Sequence, residues 1–382
     1  MIPNRSYQNA DIYLESEILN EHALLVKNGL VAGIVPRSES PADFEIINLE
    51  SNSIAPGFVD LQVNGGGGIL FNSHQDSESV KRAVRAHQRT GATSIFPTCF
   101  TPKIEVMPRL LETLVELRNS GFQGIAGIHF EGPVINPDKA GVHDRANIQP
   151  LTEELIQFYE SSARLLPTLV TLAPEQIEIS AITRLRASGV RVMAGHSNAT
   201  YEVMFKALRA GLHGATHLFN AMSGLESRKP GVVGAILADR DAFASIILDG
   251  HHLHWASFRA AYKAMAPGKL FFVTDAMPCV GSELSEFNLG SLRVLVKDGR
   301  CTTEDGTLAG SALTMELAVQ NAIKKVGVPR PEALRMATTY PARFAGLSSG
   351  GRLEVGQPAD FVVFSKEVKV REVYLSGQKI AE

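Results

Sequence analysis

The chain has 382 residues, 45% hydrophobic and 20% charged, with 37 basic against 40 acidic side chains and a formal net charge of −3. That balance supports one large folded unit plus a smaller one, and it excludes a disordered chain. No basic block with interleaved aromatic residues occurs, so nucleic acid is not an expected partner.

No apolar run reaches transmembrane length, and Met1-Ile2-Pro3-Asn4-Arg5-Ser6 lacks the apolar core of a signal peptide. Cys99, Cys279 and Cys301 are odd in number and widely separated in the chain. This argues against a disulfide framework or a cysteine zinc cluster, and for a cytoplasmic location.

Residues 1–53 read as short strands. Ala23–Lys27, the turn Asn28-Gly29 and Leu30–Val35 form a hairpin signal. Asp360–Phe364 and Val368–Tyr374, with the turn Ser376-Gly377, have the same character near the far end. Residues 1–53 and 355–382 are therefore expected to join in one small β-sandwich domain.

Residues 54–354 alternate. Apolar, β-rich runs fall at Ile54–Val63, Ala92–Cys99, Ile125–Phe130, Leu169–Ala173, Val190–Ala194, Gly214–Leu218, Ala244–Leu248 and Leu270–Thr274. Segments with helical features lie between them, among them Ser77–Arg89, Lys103–Arg118, Thr200–Ala210 and Trp255–Met265, and Ala312–Lys325 closes the series. This is the pattern of a (β/α)8 TIM-like barrel, an α/β fold. Gly65–Gly68 lacks the Lys-Ser/Thr of a phosphate loop and reads as a tight, mobile turn. Leu292–Val296, Asp298-Gly299 and Arg300–Thr303 read as a hairpin inserted after strand eight.

Reactive groups of such a barrel gather at the carboxyl ends of its strands. Those ends carry Asp60, Gln62 and Asn64, then His129 and Glu131, His196, His217 and Asn220, Asp249, His251 and His252, and finally Asp275. Five of the 11 histidines are among them. His196 and His217 end neighbouring strands, and with Glu131 they make a ligand set suited to one divalent metal, zinc or ferrous iron. Such a metal lowers the pKa of its water from 15.7 towards roughly 7. Asp275 is placed to take that water's proton and hand it to a leaving group. Arg228-Lys229 is the cationic pair best suited to an anionic substrate group.

Taken singly, each residue has a plainer reading. The histidines could be hydrogen-bonded core residues, Glu131 a turn carboxylate before Gly132-Pro133, Asp275 an Asx turn before Met277-Pro278, and His143 and Arg228 solvated loop residues. Their concentration at one end of the strands favours a metal hydrolase.

Six stretches together resemble the N-acetylglucosamine-6-phosphate deacetylase family of the amidohydrolase superfamily. They are His129-Phe130-Glu131-Gly132-Pro133, Gly195-His196-Ser197-Asn198-Ala199-Thr200, Thr216-His217-Leu218-Phe219-Asn220-Ala221-Met222, Asp249-Gly250-His251-His252, Val273-Thr274-Asp275-Ala276 and Leu308-Ala309-Gly310-Ser311-Ala312-Leu313-Thr314-Met315. The resemblance implies a metal on Glu131, His196 and His217, with Asp275 as general base and acid. It implies that His143 polarises the acetyl carbonyl. Val142, Asn220, Ala221, Arg228 and His252 would then hold the sugar phosphate, and Leu308, Ala309 and Gly310 would line the sugar. It also implies a homodimer in which Arg228 reaches the neighbouring subunit's site.

Gln62 and Asn64 stand where many amidohydrolases carry His-x-His, which implies a single metal. Asp144 stands where asparagine often follows the histidine, so the contacts of that loop differ in detail. The expected reaction is hydrolysis of the N-acetyl group of an amino-sugar 6-phosphate. A galactosamine-epimer deacetylase, another amidohydrolase and a non-catalytic sugar-phosphate binding barrel are the alternatives.

Overall fold

The computed structural model describes residues 3–380; residues 1–2, with which the leader reading began, and 381–382 lie outside them. Eight parallel strands form one sheet in chain order. They are Phe58–Val63, Ala92–Phe100, Ile128–Glu131, Thr168–Leu172, Arg191–Ala194, Gly214–Ala215, Phe243–Ile246 and Leu270–Phe272, here barrel strands one to eight. Most are buried on both faces, which is why they read as apolar runs rather than alternating ones. Helices between them bury one apolar face each, as Met204 and Ala207 do in Tyr201–Ala210. That helix is capped by the Thr200 hydroxyl and ends at Gly211, whose φ of 108° suits glycine.

Strands eight and one are not joined by a regular ladder, and side chains close the seam. Asp60, fully buried, accepts hydrogen bonds from the Thr274 hydroxyl at 2.5 Å and the Thr274 amide at 3.2 Å. Beyond it the Asp275 amide donates to the Gln62 carbonyl, and the Asn64 amide to the Ala276 carbonyl, both at 2.9 Å.

The termini build two further sheets. One has the order Leu30–Pro36, His22–Lys27, Arg5–Gln8, Glu45–Asn48. In the other, Ser53–Pro56 lies between Asp11–Tyr13 and Phe361–Phe364, which pairs with Val370–Leu375. A separate apolar cluster lies between the sheets, with the Phe361 and Tyr374 rings stacked at 4.4 Å and Tyr7 edge-on to both. The architecture is a barrel with a β-sandwich built from both ends of the chain.

Several details differ from the sequence reading. Ile54–Val63 is two strands in different sheets, parted at Gly57, where a Cβ would sit 2.0 Å from the Thr93 hydroxyl. Helices Gly231–Ala238, Arg330–Ala337 and Thr339–Ala345 had no clear amphipathic signal; the first is apolar on nearly every side because it is buried. The inserted hairpin is the middle of a four-stranded sheet that also includes Glu286–Leu289 and Leu308–Ser311. The Gly65–Gly68 turn is packed and bonded: the amides of Gly65, Gly67 and Gly68 donate to the carbonyls of Ala276, Val280 and Pro278, leaving none of these three free to cradle a phosphate. Cys279 and Cys301, distant in sequence, bring their thiols to 3.5 Å in a buried cluster without a disulfide.

The seam makes a direct test of stability. Asp60→Ala strips acceptors from two buried Thr274 donors and should cost about 2–4 kcal/mol. The expected result is a lower urea midpoint with a near-native m-value, measured by far-UV circular dichroism.

Candidate active site

The mouth of the barrel is shaped by backbone that turns sharply where strands end. His196, His217 and Asp275 have φ of 46°, 35° and 54°, a left-handed conformation unusual for non-glycine residues. Thr101, after strand two, is at 33°, costlier still for a β-branched side chain. A cavity of about 320 Å³ opens between these ends.

Three acceptors meet at its floor. Glu131 Oε1 lies 2.8 Å from His217 Nε2 and 3.2 Å from His196 Nε2, and the two nitrogens are 3.2 Å apart. His196 Nδ1 is 2.8 Å from the Lys139 carbonyl, which can only accept, so Nδ1 carries the hydrogen and Nε2 presents a lone pair. The His196 lone pair and the Glu131 carboxylate oxygen face each other at 3.2 Å with no hydrogen between them, a contact that a cation between them would relieve. Ligand bonds of about 2.0–2.1 Å in a tetrahedral site place ligand atoms about 3.3 Å apart, so the residues fit a divalent metal. His217 Nδ1 is buried and has no partner among the described residues.

His143 overlaps this set. Its ligand atom lies within 4.8 Å of those of Glu131 and His196, and its ring centroid is 4.0 Å from that of His196. However, Nδ1 of His143 is 2.7 Å from the Thr101 hydroxyl. His217, whose Nε2 is closer to both Glu131 and His196, is therefore the better third ligand, and His143 stands beside the site.

Charge couples these groups. Burial pushes the Glu131 carboxyl up, but the close His196 and His217 rings outweigh it and hold it well below the ordinary range. Burial pushes His217 down, and the Glu131 contact reverses this and raises it. Burial, reinforced by His196, keeps His143 neutral. Asp275 is raised to about 6, chiefly by burial and then by the Glu131 charge. Its Oδ1 accepts hydrogen bonds from Asn64 Nδ2 at 2.6 Å and Gln62 Nε2 at 3.1 Å. The two neutral residues on strand one therefore orient a carboxylate.

Val142, Asn220, Ala221, His252, Leu308 and Gly310 also line the cavity. His252 is oriented by Asp249, whose Oδ2 accepts from its Nδ1 at 2.6 Å while Oδ1 accepts from the amides of His251 and His252. Two candidates lie elsewhere: Ala309 is buried in the apolar cluster beneath the cavity, and Arg228 is on an exposed loop outside it. His129 is a core histidine between the Thr98 and Thr171 hydroxyls, and burial lowers it to about 4. His251 faces Arg300 of the inserted sheet.

The sequence reading passed over Thr101, Lys139, Met277 and Ile247. Thr101 follows a strand directly and so had a positional signal. Lys139 lines the cavity and adds a cation at its mouth, but its carbonyl contact with His196 has no signature in sequence.

The amidohydrolase family model matches residues 53–380, spanning the whole barrel and its mouth. The chain belongs to the amidohydrolase family. A second model, the NagA composite domain, matches residues 7–54. The amidohydrolase is 36% identical to an N-acetylgalactosamine-6-phosphate deacetylase of Shewanella sp. (strain ANA-3), covering 99% of this chain and 97% of that one. It is 34% identical to an N-acetylglucosamine-6-phosphate deacetylase of Haemophilus influenzae, covering 97% of each. The crystal structure of N-acetylglucosamine-6-phosphate deacetylase from Pasteurella multocida superposes with a TM-score of 0.95 at 35% identity, covering 99% of this chain and 100% of that one.

The converging acceptors predict tight metal binding. Chelator-treated amidohydrolase titrated with Zn2+ in a calorimeter should take up about one ion per chain, the loading of a single closed ligand set. Glu131→Gln should weaken that binding by about 100-fold or more.

Proposed function

We propose that this amidohydrolase removes the N-acetyl group of N-acetylglucosamine 6-phosphate, giving glucosamine 6-phosphate and acetate. The observation that carries the proposal is the buried Glu131–His196–His217 acceptor cluster beside the oriented carboxylate of Asp275, in a chain alike over nearly its full length to deacetylases of such substrates.

Glu131, His196 and His217 would hold one divalent metal, zinc before ferrous iron given two imidazoles and one carboxylate. When bound, it supplies Lewis-acid polarisation and a more acidic water. Asp275 takes the proton of the attacking water as the C–O bond forms. The same carboxyl then gives it to the nitrogen as the C–N bond breaks, so acetate and the free amine leave in balance. His143 donates from Nε2 to the acetyl oxygen as that oxygen gains charge. This role needs the tautomer in which Nδ1 accepts from the Thr101 hydroxyl, a geometry the 2.7 Å contact supports. Asn220, Ala221 and His252 would hold the sugar phosphate, with Val142, Leu308 and Gly310 against the sugar. Arg228, outside its own chain's cavity, is suited to reach the site of a partner subunit, which supports a homodimer. Ala309 would act through the backbone it lends to its neighbours.

Two further assignments belong to this reading. The division into 1–53 plus 355–382 and 54–354 is supported by the separate apolar core of the terminal sheets, with Ser53–Pro56 at the junction. A cytoplasmic location is supported by three free thiols; among the described residues no helix is long and apolar enough to cross a membrane.

The galactosamine epimer is the second reading, favoured by the name of the 36% identical Shewanella relative. Acetate release from both N-acetylhexosamine 6-phosphates, measured as kcat/KM on one metal-counted preparation, decides between them. No release from either substrate by metal-loaded protein overturns the proposal.

Asp275→Asn should keep its metal and lose about 10²–10⁴-fold in kcat; near wild-type turnover would remove Asp275 from the mechanism. A base must be ionised to act, so kcat/KM should fall as pH drops through the Asp275 pKa, at or below about 6. That acid limb should be missing from the residual activity of the variant.

A further inference from the structure

The other end of the barrel holds a larger cavity, of about 500 Å³, with a charge pattern the deacetylase reading does not use. It opens where strands five to eight begin. Arg191 is the first residue of strand five, His213 and Lys269 immediately precede strands six and eight, and Arg186 lies in the last turn of helix Ile179–Ala187.

The cations outnumber the anions there. Asp239 is committed: Oδ2 pairs with Arg209 at 2.7 Å, and Oδ1 accepts from the amides of Asp241 and Ala242. Arg186, Arg191 and Lys269 have no carboxylate partner among the described residues, and Asp241, exposed, is the one other acid in the lining. Three such cations against one acid leave a surplus of two positive charges. Helix-end carbonyls partly account for Arg186 and Arg209, each in a last helical turn. They do not account for Arg191, at the start of strand five, or for Lys269, just before strand eight, whose ammonium lies 4.0 Å over the Phe243 ring and keeps its N–H groups for an acceptor.

A second observation points to a missing acceptor. His213 Nδ1 accepts from the Val192 amide at 3.2 Å, while its Nε2 faces the Arg191 guanidinium, also at 3.2 Å. A guanidinium only donates, and a neutral imidazole has one lone pair, so both contacts cannot be hydrogen bonds at once. Burial, with Arg191 and Arg186 adding to it, lowers His213 to about 4, so the ring is neutral near pH 7. One N–H of this pair is left without an acceptor. The guanidiniums are also closely seated: a Cβ on Gly211 would lie 2.5 Å from the Arg186 side chain, and one on Gly346 would lie 2.7 Å from Arg191. Seated guanidiniums with spare N–H groups suit the tetrahedral oxygens of a phosphoryl group.

We propose that Arg186, Arg191, His213 and Lys269 form a second anion site, selective for phosphate or a phosphate monoester, at the end of the barrel opposite the metal cluster. The site stands whether or not the deacetylase reading does, since no residue is shared.

Inorganic phosphate and a nucleoside 5′-monophosphate are the probes, each titrated against chloride at constant ionic strength while the thermal midpoint is followed. At ten times the dissociation constant the midpoint should rise by about 2 °C. Arg186→Gln, on an exposed side chain, and Arg191→Gln should each remove at least half of that rise and leave kcat and KM for deacetylation unchanged. A response to inorganic phosphate alone assigns the free ion, and a stronger one to the monophosphate assigns an ester; both support the site. No rise with either probe overturns it. So does a rise that survives both variants, which would place the anion in the substrate cavity, where it would compete with substrate.

Discussion

Three acceptors pressed together out of water are the constraint around which the mouth of this barrel is arranged. Glu131, His196 and His217 are within 3.2 Å of one another, and with the His196 hydrogen held on Nδ1 its Nε2 gains nothing from facing the Glu131 carboxylate without a cation. The surrounding structure imposes it. Strand three carries Glu131 at its last residue, while strands five and six deliver the histidines through left-handed backbone that only a rigid sheet can hold. The Lys139 carbonyl then selects the His196 tautomer that makes the repulsion greatest and the metal fit best.

The same logic extends outward. Asp275 lies on the seam between strands eight and one, so the clamp that closes the barrel also sets the position of the carboxylate. Gln62 and Asn64 hold it from strand one, and the sheet ending in Leu308–Ser311 hydrogen-bonds to the backbone on either side of it. Three elements distant in sequence thus meet on one residue. Asp249 does for His252 what Gln62 and Asn64 do for Asp275, with a single carboxylate fixing both ring and backbone.

Much of this was legible in sequence, and for physical reasons. Buried parallel strands leave apolar runs whether or not neighbours are known, so the barrel could be counted. A polar residue at a strand end is visible because the run stops there, which brought Glu131, His196, His217 and Asp275 forward as candidates. What escaped depended on depth and direction. His129 shares the face of Glu131, two residues earlier on strand three, but lies deeper in the barrel, where the Thr98 and Thr171 hydroxyls enclose it. Ala309 and Gly310 differ by direction, since adjacent residues of a strand face opposite ways and only Gly310 lines the cavity. Backbone partners such as the Lys139 carbonyl belong to any residue type and leave no mark. Helix Gly231–Ala238 was hidden because burial on all sides erases the amphipathic pattern that would announce it.

The terminal sheet carries a consequence for how the molecule is made. Ser53–Pro56 is flanked on one side by Asp11–Tyr13, close upstream, and on the other by Phe361–Phe364, which is translated only after the whole barrel. While the ribosome works through the barrel, that inner edge stays open, with Ile54 and the Tyr7 ring awaiting Phe361 and Tyr374. The sandwich can close only after Phe361–Phe364 has been made. Its completion is thus a late step in biogenesis, and a prematurely truncated product would expose an unpaired strand and an open aromatic cluster to chaperones and proteases.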